Sequence, residues 1–192
     1  MPMPNGYNAR KAAHAAAFFA IKSGGQINVL KLAKLLYLAE RECMSRFDEP
    51  MFYDFLVSMD HGPVTSVTLN AVNGLNEIPE WTSVMSHRAG YDIGLVAAST
   101  AVDDLDELSR ADVQILEYLW TKFGRMNQFQ IRDFTHEACK EWRNPNGSSI
   151  PIAHRDVFAA LGKANPDALA GDIENFRRNT AKIDAYDELG SA

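Results

Sequence analysis

The bend at Asp60-His61-Gly62-Pro63-Val64 is the feature that most constrains how this 192-residue chain can fold. Pro63 holds its own φ at about −65° and suits the first turn of a helix, and the preceding glycine removes the steric limit at that point. These properties predict a helix over 64–73, with Asp60 and His61 at its entrance. We expect both side chains to cap this helix, because a carboxylate or an imidazole placed there meets free N–H groups.

A helix with a broad apolar face precedes the bend. Asn28 is a good N-cap, and apolar side chains recur behind it at helical spacing as far as Ala39, which predicts a central helix. Lys31, Lys34 and Tyr37 follow one another at three-residue spacing and share one polar flank of this helix. That flank has two interpretations, a solvated helix surface or a binding surface.

Apolar periodicity and turn residues predict further helices along the chain. They cover residues 8–23, 109–124, 128–134, 135–142 and 152–161. Thr135 would cap the fourth of these. Modest alternation around Ala89-Gly90 predicts a small β-hairpin near residues 81–98. The predicted fold class is therefore mainly α, with a compact helical domain over residues 1–162.

Residues 163–192 form a separate C-terminal unit in this prediction. Asn165-Pro166 supplies a cap and a pre-set first helical residue, and Ile173, Phe176 and Ile183 lie on one apolar stripe. The stripe is shorter than the three or four heptads, roughly, that a coiled coil requires. We expect an amphipathic helix that packs either on its own domain or on a partner.

Composition and charge exclude several classes of function. The chain is 46% hydrophobic and 23% charged, as globular proteins are, and no apolar run approaches the roughly 20 residues of a membrane span. The net charge of −6 disfavours nucleic-acid binding, which needs a clustered positive surface. Cys43 and Cys139 lie far apart without a Cys-x-x-Cys pattern, which is typical of free thiols in a reducing compartment. We therefore expect a cytoplasmic protein with no membrane partner.

The chemical motifs in the chain are fragments. His136, Glu137 and Cys139 are similar to part of a zinc-protease helix, but Lys140 stands where the second histidine would be. His136 and Cys139 would supply half of a tetrahedral metal site; otherwise they are a satisfied histidine and a small buried cysteine. His154-Arg155-Asp156 matches three letters of a kinase catalytic loop without a glycine-rich phosphate loop. We therefore expect no enzyme, metal or cofactor.

Three segments form a recognisable pattern in this order. Residues 31–37 are Lys-Leu-Ala-Lys-Leu-Leu-Tyr, residues 55–64 end in His-Gly-Pro-Val, and residues 131–142 contain Thr135-His136 followed by Trp142. Together they resemble the Panacea domain, the SocA-like antitoxin family of bacteria and phages. The first is similar to the opening helix of that family, the second to its Gly-Pro-Val bend and the third to its Leu-x-x-x-Thr-His-x-x-x-x-Trp pattern. The family often has Pro directly before the tryptophan, where this chain has Glu141. The resemblance covers residues 8–161.

The resemblance implies a mostly helical antitoxin that binds and blocks a cognate toxin protein, and it carries over no catalytic residue. It also implies that residues of the three segments come together as a partner-binding or family-signature set. That set is Lys31, Lys34, Tyr37, Asp60, His61, Gly62, Pro63, Val64, Thr135, His136 and Trp142. Two roles remain open for it, contact with the toxin and support of the fold.

Two alternative functions belong to other classes. A proteolytic adaptor would deliver the bound toxin to an ATP-dependent protease. A small metal-dependent hydrolase would use His61, His136 and Cys139. A monomer and a homo-oligomer are both compatible with the sequence. A gene for a toxic product next to this one would favour the antitoxin.

Overall fold

A computed structural model of the chain describes residues 3–190. In that range the fold is mainly helical, as the sequence predicts, and contains two small sheets. The helices are α1 (Ala9–Lys22), α2 (Val29–Phe47), α3 (Ser66–Val72), α4 (Pro79–Thr82), α5 (Arg110–Phe123), α6 (Gln128–Ala138), α7 (His154–Ala160) and α8 (Pro166–Gly190). The strands are β1 (Gln26–Asn28), β2 (Leu56–Met59), β3 (Gly62–Thr65), β4 (Asp92–Gly94) and β5 (Ile150–Ile152).

Helix α2 is the centre of the domain. The Asn28 side chain caps it by accepting hydrogen bonds from the backbone N–H groups of Leu30 (3.1 Å) and Lys31 (3.3 Å). Every residue over 32–40 is buried, so α2 is covered on nearly all sides. Its neighbour α1 is buried over 12–20, and its many alanines allow close approach between the two helices. A fully buried leucine contributes about 1.5–3 kcal/mol, so this packing is a principal source of stability.

The strands join segments that are distant in sequence. β2 lies between β3 and β5, and both pairings are antiparallel. Residues 85–95 fold back on themselves through bridges at Met85↔Leu95 and Ala89↔Asp92. The second arm of that fold, β4, also pairs with β1, a partner that the sequence pattern does not reveal.

Helix α6 is continuous, which contradicts the predicted break at Thr135. Asn127 begins the helix by accepting from the N–H groups of Phe129 and Gln130, both at 3.0 Å. Thr135 lies inside the helix, where its hydroxyl donates to the Arg132 carbonyl at 2.7 Å. Because that hydroxyl bonds backwards along the same helix, it does not start a new one.

The C-terminal helix α8 contacts the domain along its first half. Ile173 is only 2% exposed and belongs to the main core, and α8 also packs against α7. Phe176 stacks on Tyr53 with ring centroids 4.2 Å apart. Further along the helix, Ile183 is 61% exposed. The apolar stripe is therefore divided between the core and the surface.

None of the helices in the described range combines the length and the apolar composition that a membrane crossing requires.

Candidate functional site

The predicted bend is the tight turn of a β-hairpin. β2 and β3 pair from Leu56↔Thr65 to Met59↔Gly62, which leaves Asp60 and His61 as the two exposed turn residues. The helix predicted over 64–73 is present as α3, but the prediction that Asp60 and His61 cap it is wrong, because both lie in the turn and residues 64–65 belong to β3. Pro63 lies in β3, an edge strand of the sheet, where a missing N–H is tolerated. The helix begins at Ser66, two residues after its predicted start at residue 64.

Asp54 takes the capping role that the sequence assigned to the turn. Its carboxylate accepts from the backbone N–H groups of Val67 and Thr68, both at 2.9 Å, and from the Thr68 hydroxyl at 2.6 Å. Asp54 is fully buried, and burial raises the pKa of its carboxyl, while these hydrogen bonds act against the rise. Asp54, in the loop before the hairpin, thus provides the hydrogen-bond acceptors for the free N–H groups at the start of α3.

Glu40 of α2 is a second buried carboxylate that the sequence analysis missed. It accepts from the N–H groups of Met51, Phe52 (3.0 Å) and Asp54 (3.1 Å), and so fixes the loop that leads into β2. Burial raises its pKa to about 7. The sequence contains one indication that Glu40 is buried, because this residue continues the four-residue spacing of Leu32 and Leu36 on the apolar face.

Gly62 joins the hairpin to α6. It has φ +95°, a left-handed conformation that glycine adopts without steric cost. A Cβ atom at this position would lie 2.8 Å from the Thr135 Oγ1 and 3.1 Å from the His136 ring. Both the backbone conformation and the close approach of α6 therefore require glycine here.

Trp142 braces the other strand of the hairpin. Its indole stacks on His136, with ring centroids 4.2 Å apart and planes at 16°, and its Nε1 donates to the Met59 carbonyl at 3.0 Å. Burial, and then the charge of Lys34, lower the pKa of His136. The His136 Nε2 is buried and has no hydrogen-bond partner among the described residues. The histidine is therefore held by stacking and packing rather than by polar contacts of that nitrogen.

Lys34 lies beneath the hairpin and is completely buried. Its Nζ donates to the Pro63 carbonyl at 3.0 Å, and it has no carboxylate within 4.0 Å among the described residues. Burial, and to a smaller extent the charge of Arg132, lower the pKa of Lys34 to about 7. Lys34 is thus a structural contact between α2 and β3, and the interpretation as a solvated flank is wrong for this residue.

Tyr37 and Arg41, on the same flank of α2, converge on Glu141. The Tyr37 hydroxyl and the Arg41 Nε each donate to the Glu141 Oε1 at 2.7 Å. The Glu141 side chain is fully buried. Burial, and then the Glu141 charge, raise the pKa of Tyr37 well above its usual range. The residue that departs from the family pattern is therefore the centre of a buried polar cluster in this chain.

Lys31 lies away from the hairpin. Its Nζ donates to the Gly124 carbonyl at 2.7 Å and stands over the Trp120 ring at 5.0 Å, which fastens the start of α2 to the end of α5. The structure thus brings Gly62, Thr135, His136 and Trp142 into direct contact around the hairpin. Lys34 joins them from below, whereas Lys31 and Tyr37 contact other elements.

An open surface, here named the hairpin groove, surrounds His61. It consists of two adjoining clefts of about 350 and 440 Å³ that share Val29, Leu30, His61 and Arg88. The first cleft is also lined by Ala33, Lys34, Met59, Asp60, Val64, Leu69, Asn73, Gly147 and Ser148, and the second by Asn28, Tyr91, Gln128 and Phe129. Most of this lining is apolar. Its edge at residues 147–148 is held by Asp60, whose Oδ1 accepts from the Gly147 N–H at 2.9 Å.

The sulfur atoms and histidines do not form a metal centre in the described part of the chain, where no group of three potential ligands occurs. Cys43 and Cys139 are buried free thiols, as predicted. Burial raises the pKa of each thiol to about 12, so both are poor nucleophiles near neutral pH.

Comparison with known proteins identifies the family. The family model described as antitoxin SocA-like, Panacea domain, matches residues 32–143, more than half of the chain. The chain therefore belongs to this antitoxin family, as the resemblance predicts. The match includes the hairpin, α6 and Trp142 and leaves out α1, α7 and α8. The searches of curated proteins and of solved structures gave no match.

Proposed function

We propose that this protein is a cytoplasmic antitoxin that neutralises its cognate toxin by binding it directly, and that the hairpin groove holds the toxin. Membership of the antitoxin family supports the role. The observation that carries the binding mode is the groove itself, an open apolar surface at the signature hairpin. Tyr91 is 76% and Phe129 53% exposed beside it. Exposed apolar patches with polar rims, and aromatic side chains in particular, are typical of protein interaction sites.

The signature residues have two different tasks in this proposal. Gly62, Pro63, Thr135, His136 and Trp142 fix the hairpin against α6, so that the turn presents one defined surface. His61 and Val64 line the groove and contact the toxin. Asp60 positions the groove edge, and Lys31, Lys34 and Tyr37 support the helix beneath. Preorganisation of this kind lowers the entropic cost of binding.

The exposed end of α8 is a second candidate contact. Ile183 is largely exposed, whereas Ile173 is buried and Phe176 is stacked on Tyr53. The free part of the stripe is therefore the distal part. Because α8 lies outside the region that matches the family, it is suited to contacts that differ between family members.

Co-expression with the toxin tests the proposal. The candidate toxin is the product of the gene next to this one, expressed alone and together with the full chain. We expect growth to be restored, and intact toxin to co-purify with the chain, also in cells that lack ATP-dependent proteases. Restoration that disappears in those cells, with toxin degradation that depends on this chain, would favour a proteolytic adaptor. Continued toxicity without association would refute the proposal.

A further inference from the structure

The hairpin groove carries an excess of basic groups in a chain whose net charge is −6. His61 and Arg88 lie where its two clefts meet, and Lys34 lies below the first cleft. Among the described residues that line the groove, Asp60 has the only carboxylate. That carboxylate already accepts a hydrogen bond from Gly147. Basic groups therefore outnumber carboxylates in the groove, whereas acidic residues outnumber Lys and Arg in the chain as a whole.

Arg88 retains its charge and part of its hydrogen-bonding capacity. Its Nε donates to the Gly90 carbonyl at 2.7 Å and its Nη1 to the Asn73 Oδ1 at 2.5 Å, and both acceptors are neutral. Within residues 3–190, Nη2 donates to nothing and no carboxylate lies within 4.0 Å of the guanidinium. The two internal bonds hold the side chain in place at the exposed junction of the clefts. An arginine fixed in this way is prepared for a carboxylate.

Lys34 adds positive charge beneath the same surface when its ammonium group is protonated. Within residues 3–190 its one hydrogen bond goes to the Pro63 carbonyl and no counter-ion lies beside it, and burial of an ammonium group in such surroundings is costly. Since Lys34 has no exposed surface, a ligand would feel its charge through the electrostatic field rather than by contact. An anion in the cleft above would offset part of that cost.

We infer that the hairpin groove binds an acidic segment of the toxin. A carboxylate side chain of that segment pairs with Arg88 and His61, and apolar neighbours on either side pack against Leu30, Tyr91 and Phe129. The inference rests on the proposed function and adds the chemical class of the toxin segment. Charge complementarity of this kind accelerates association and excludes partners of the wrong sign.

Charge reversal and cross-linking test the inference on the full chain and the purified toxin. Arg88→Glu should weaken toxin binding by about tenfold or more and reduce its dependence on salt. Arg110→Glu is the matched control, because Arg110 is exposed at the start of α5 and outside the groove. It should leave the affinity within about twofold, as expected of a charge that makes no contact with the partner. Circular dichroism and thermal unfolding verify the fold of both variants.

Cross-linking identifies the toxin segment without a change of charge. A photoreactive amino acid in place of Phe129 should capture a toxin peptide that contains Asp or Glu. Replacement of that acid by Arg should restore binding to the Arg88→Glu variant. A captured segment without an acid, or equal affinity of the unmodified chain and Arg88→Glu, would overturn the inference and leave direct neutralisation standing. A lack of any toxin binding by the unmodified chain would overturn both, and an oligonucleotide bound through Arg88 would indicate a nucleic-acid site instead.

Discussion

Gly62 and Thr135 approach so closely that any side chain at position 62 would meet the threonine hydroxyl. The distance from an ideal Cβ to the Thr135 Oγ1 is 2.8 Å, shorter than such contacts occur in practice. The contact joins two segments of the family signature that are far apart in sequence. It fixes the angle at which α6 supports the hairpin, and through the hairpin it sets the position of the groove.

Gly62→Ala should lower the free energy of unfolding by about 2–4 kcal/mol. Two effects add, the strain of an alanine at φ +95° and the displacement of Thr135 and His136. Urea unfolding followed by circular dichroism measures the change.

Gly24→Ala separates these two effects. Gly24 has a similar φ of +90°, but no atom of the described residues lies within 4 Å of a Cβ at that position. Gly24→Ala should therefore lower the free energy of unfolding only by the strain of an alanine in this backbone conformation, about 1–2 kcal/mol. In a Thr135→Ala background, the cost of Gly62→Ala should fall, but it should stay above that of Gly24→Ala because the His136 ring still lies 3.1 Å from the added Cβ. Equal costs in the unmodified chain would contradict a close contact at Gly62.

Lys34 should give the stability a characteristic pH dependence. Its pKa is about 7 in the folded chain because of burial, against an ordinary value of 10.5. Between these two values the unfolded chain binds a proton that the folded chain does not, so stability rises as pH rises. The slope from this group is at most about 1.4 kcal/mol per pH unit.

Lys34→Met should remove that slope, and urea unfolding at several pH values inside the window measures it. Lys182→Met, at an exposed position of α8, is the control and should keep the slope of the unmodified chain. Parallel stability curves for the unmodified chain and Lys34→Met would show that the buried lysine does not titrate in this range.

The sequence predicts those parts of the fold whose signals are local. Helix α2 follows from the Asn28 cap and the apolar spacing behind it, and α5 from its capping residues Ser109 and Asp112. The pair Gly62-Pro63 has two structural outcomes, a helix start or an edge strand. The bend forms an edge strand because β3 pairs with β2, which in turn pairs with β5, a strand almost a hundred residues away. A window around the bend contains both strands of the hairpin but not β5, which covers the other edge of β2.

Burial of the polar flank of α2 escaped prediction for a similar reason. The spacing of Lys34 and Tyr37 places them on one flank, but it does not show what covers that flank. β3 covers Lys34 and Glu141 covers Tyr37, and both contacts are formed by tertiary packing. Membership of the family could be predicted because its signature is a pattern of residue identities in the sequence. The hairpin groove could not be predicted because it is assembled from distant segments.

Glu141→Ala should destabilise the chain by about 3–5 kcal/mol, the cost of breaking a buried ion pair by removing one partner. The Tyr37 hydroxyl and the Arg41 guanidinium would both lose their acceptor. Glu117→Ala is the control, because Glu117 pairs with Lys22 at 2.6 Å on the surface. That change should cost no more than about 1 kcal/mol. Thermal and urea unfolding distinguish the two.

A double-mutant cycle locates the effect in the Glu141 cluster. Tyr37→Phe alone removes one hydrogen-bond donor from the buried Glu141 carboxylate, so it should lower the free energy of unfolding. In the Glu141→Ala background the same change should cost almost nothing, because the acceptor is already absent. Additive costs would mean that Tyr37 and Glu141 do not interact in solution, contrary to the 2.7 Å hydrogen bond.

Substitutions in the two halves of α8 should have different effects, one on stability and the other on toxin binding. Ile173→Ala removes a side chain that is 2% exposed, and should cost about 2–5 kcal/mol as other buried isoleucines do. Ile183→Ala removes one that is 61% exposed, and its effect on unfolding should stay within about 0.5 kcal/mol. Affinity for the toxin should respond in the opposite order, with Ile183→Ala weakening a complex that a folded Ile173→Ala chain still forms below its unfolding temperature. If Ile183→Ala binds the toxin as tightly as the unmodified chain, the distal part of α8 is not a contact and the groove alone carries recognition.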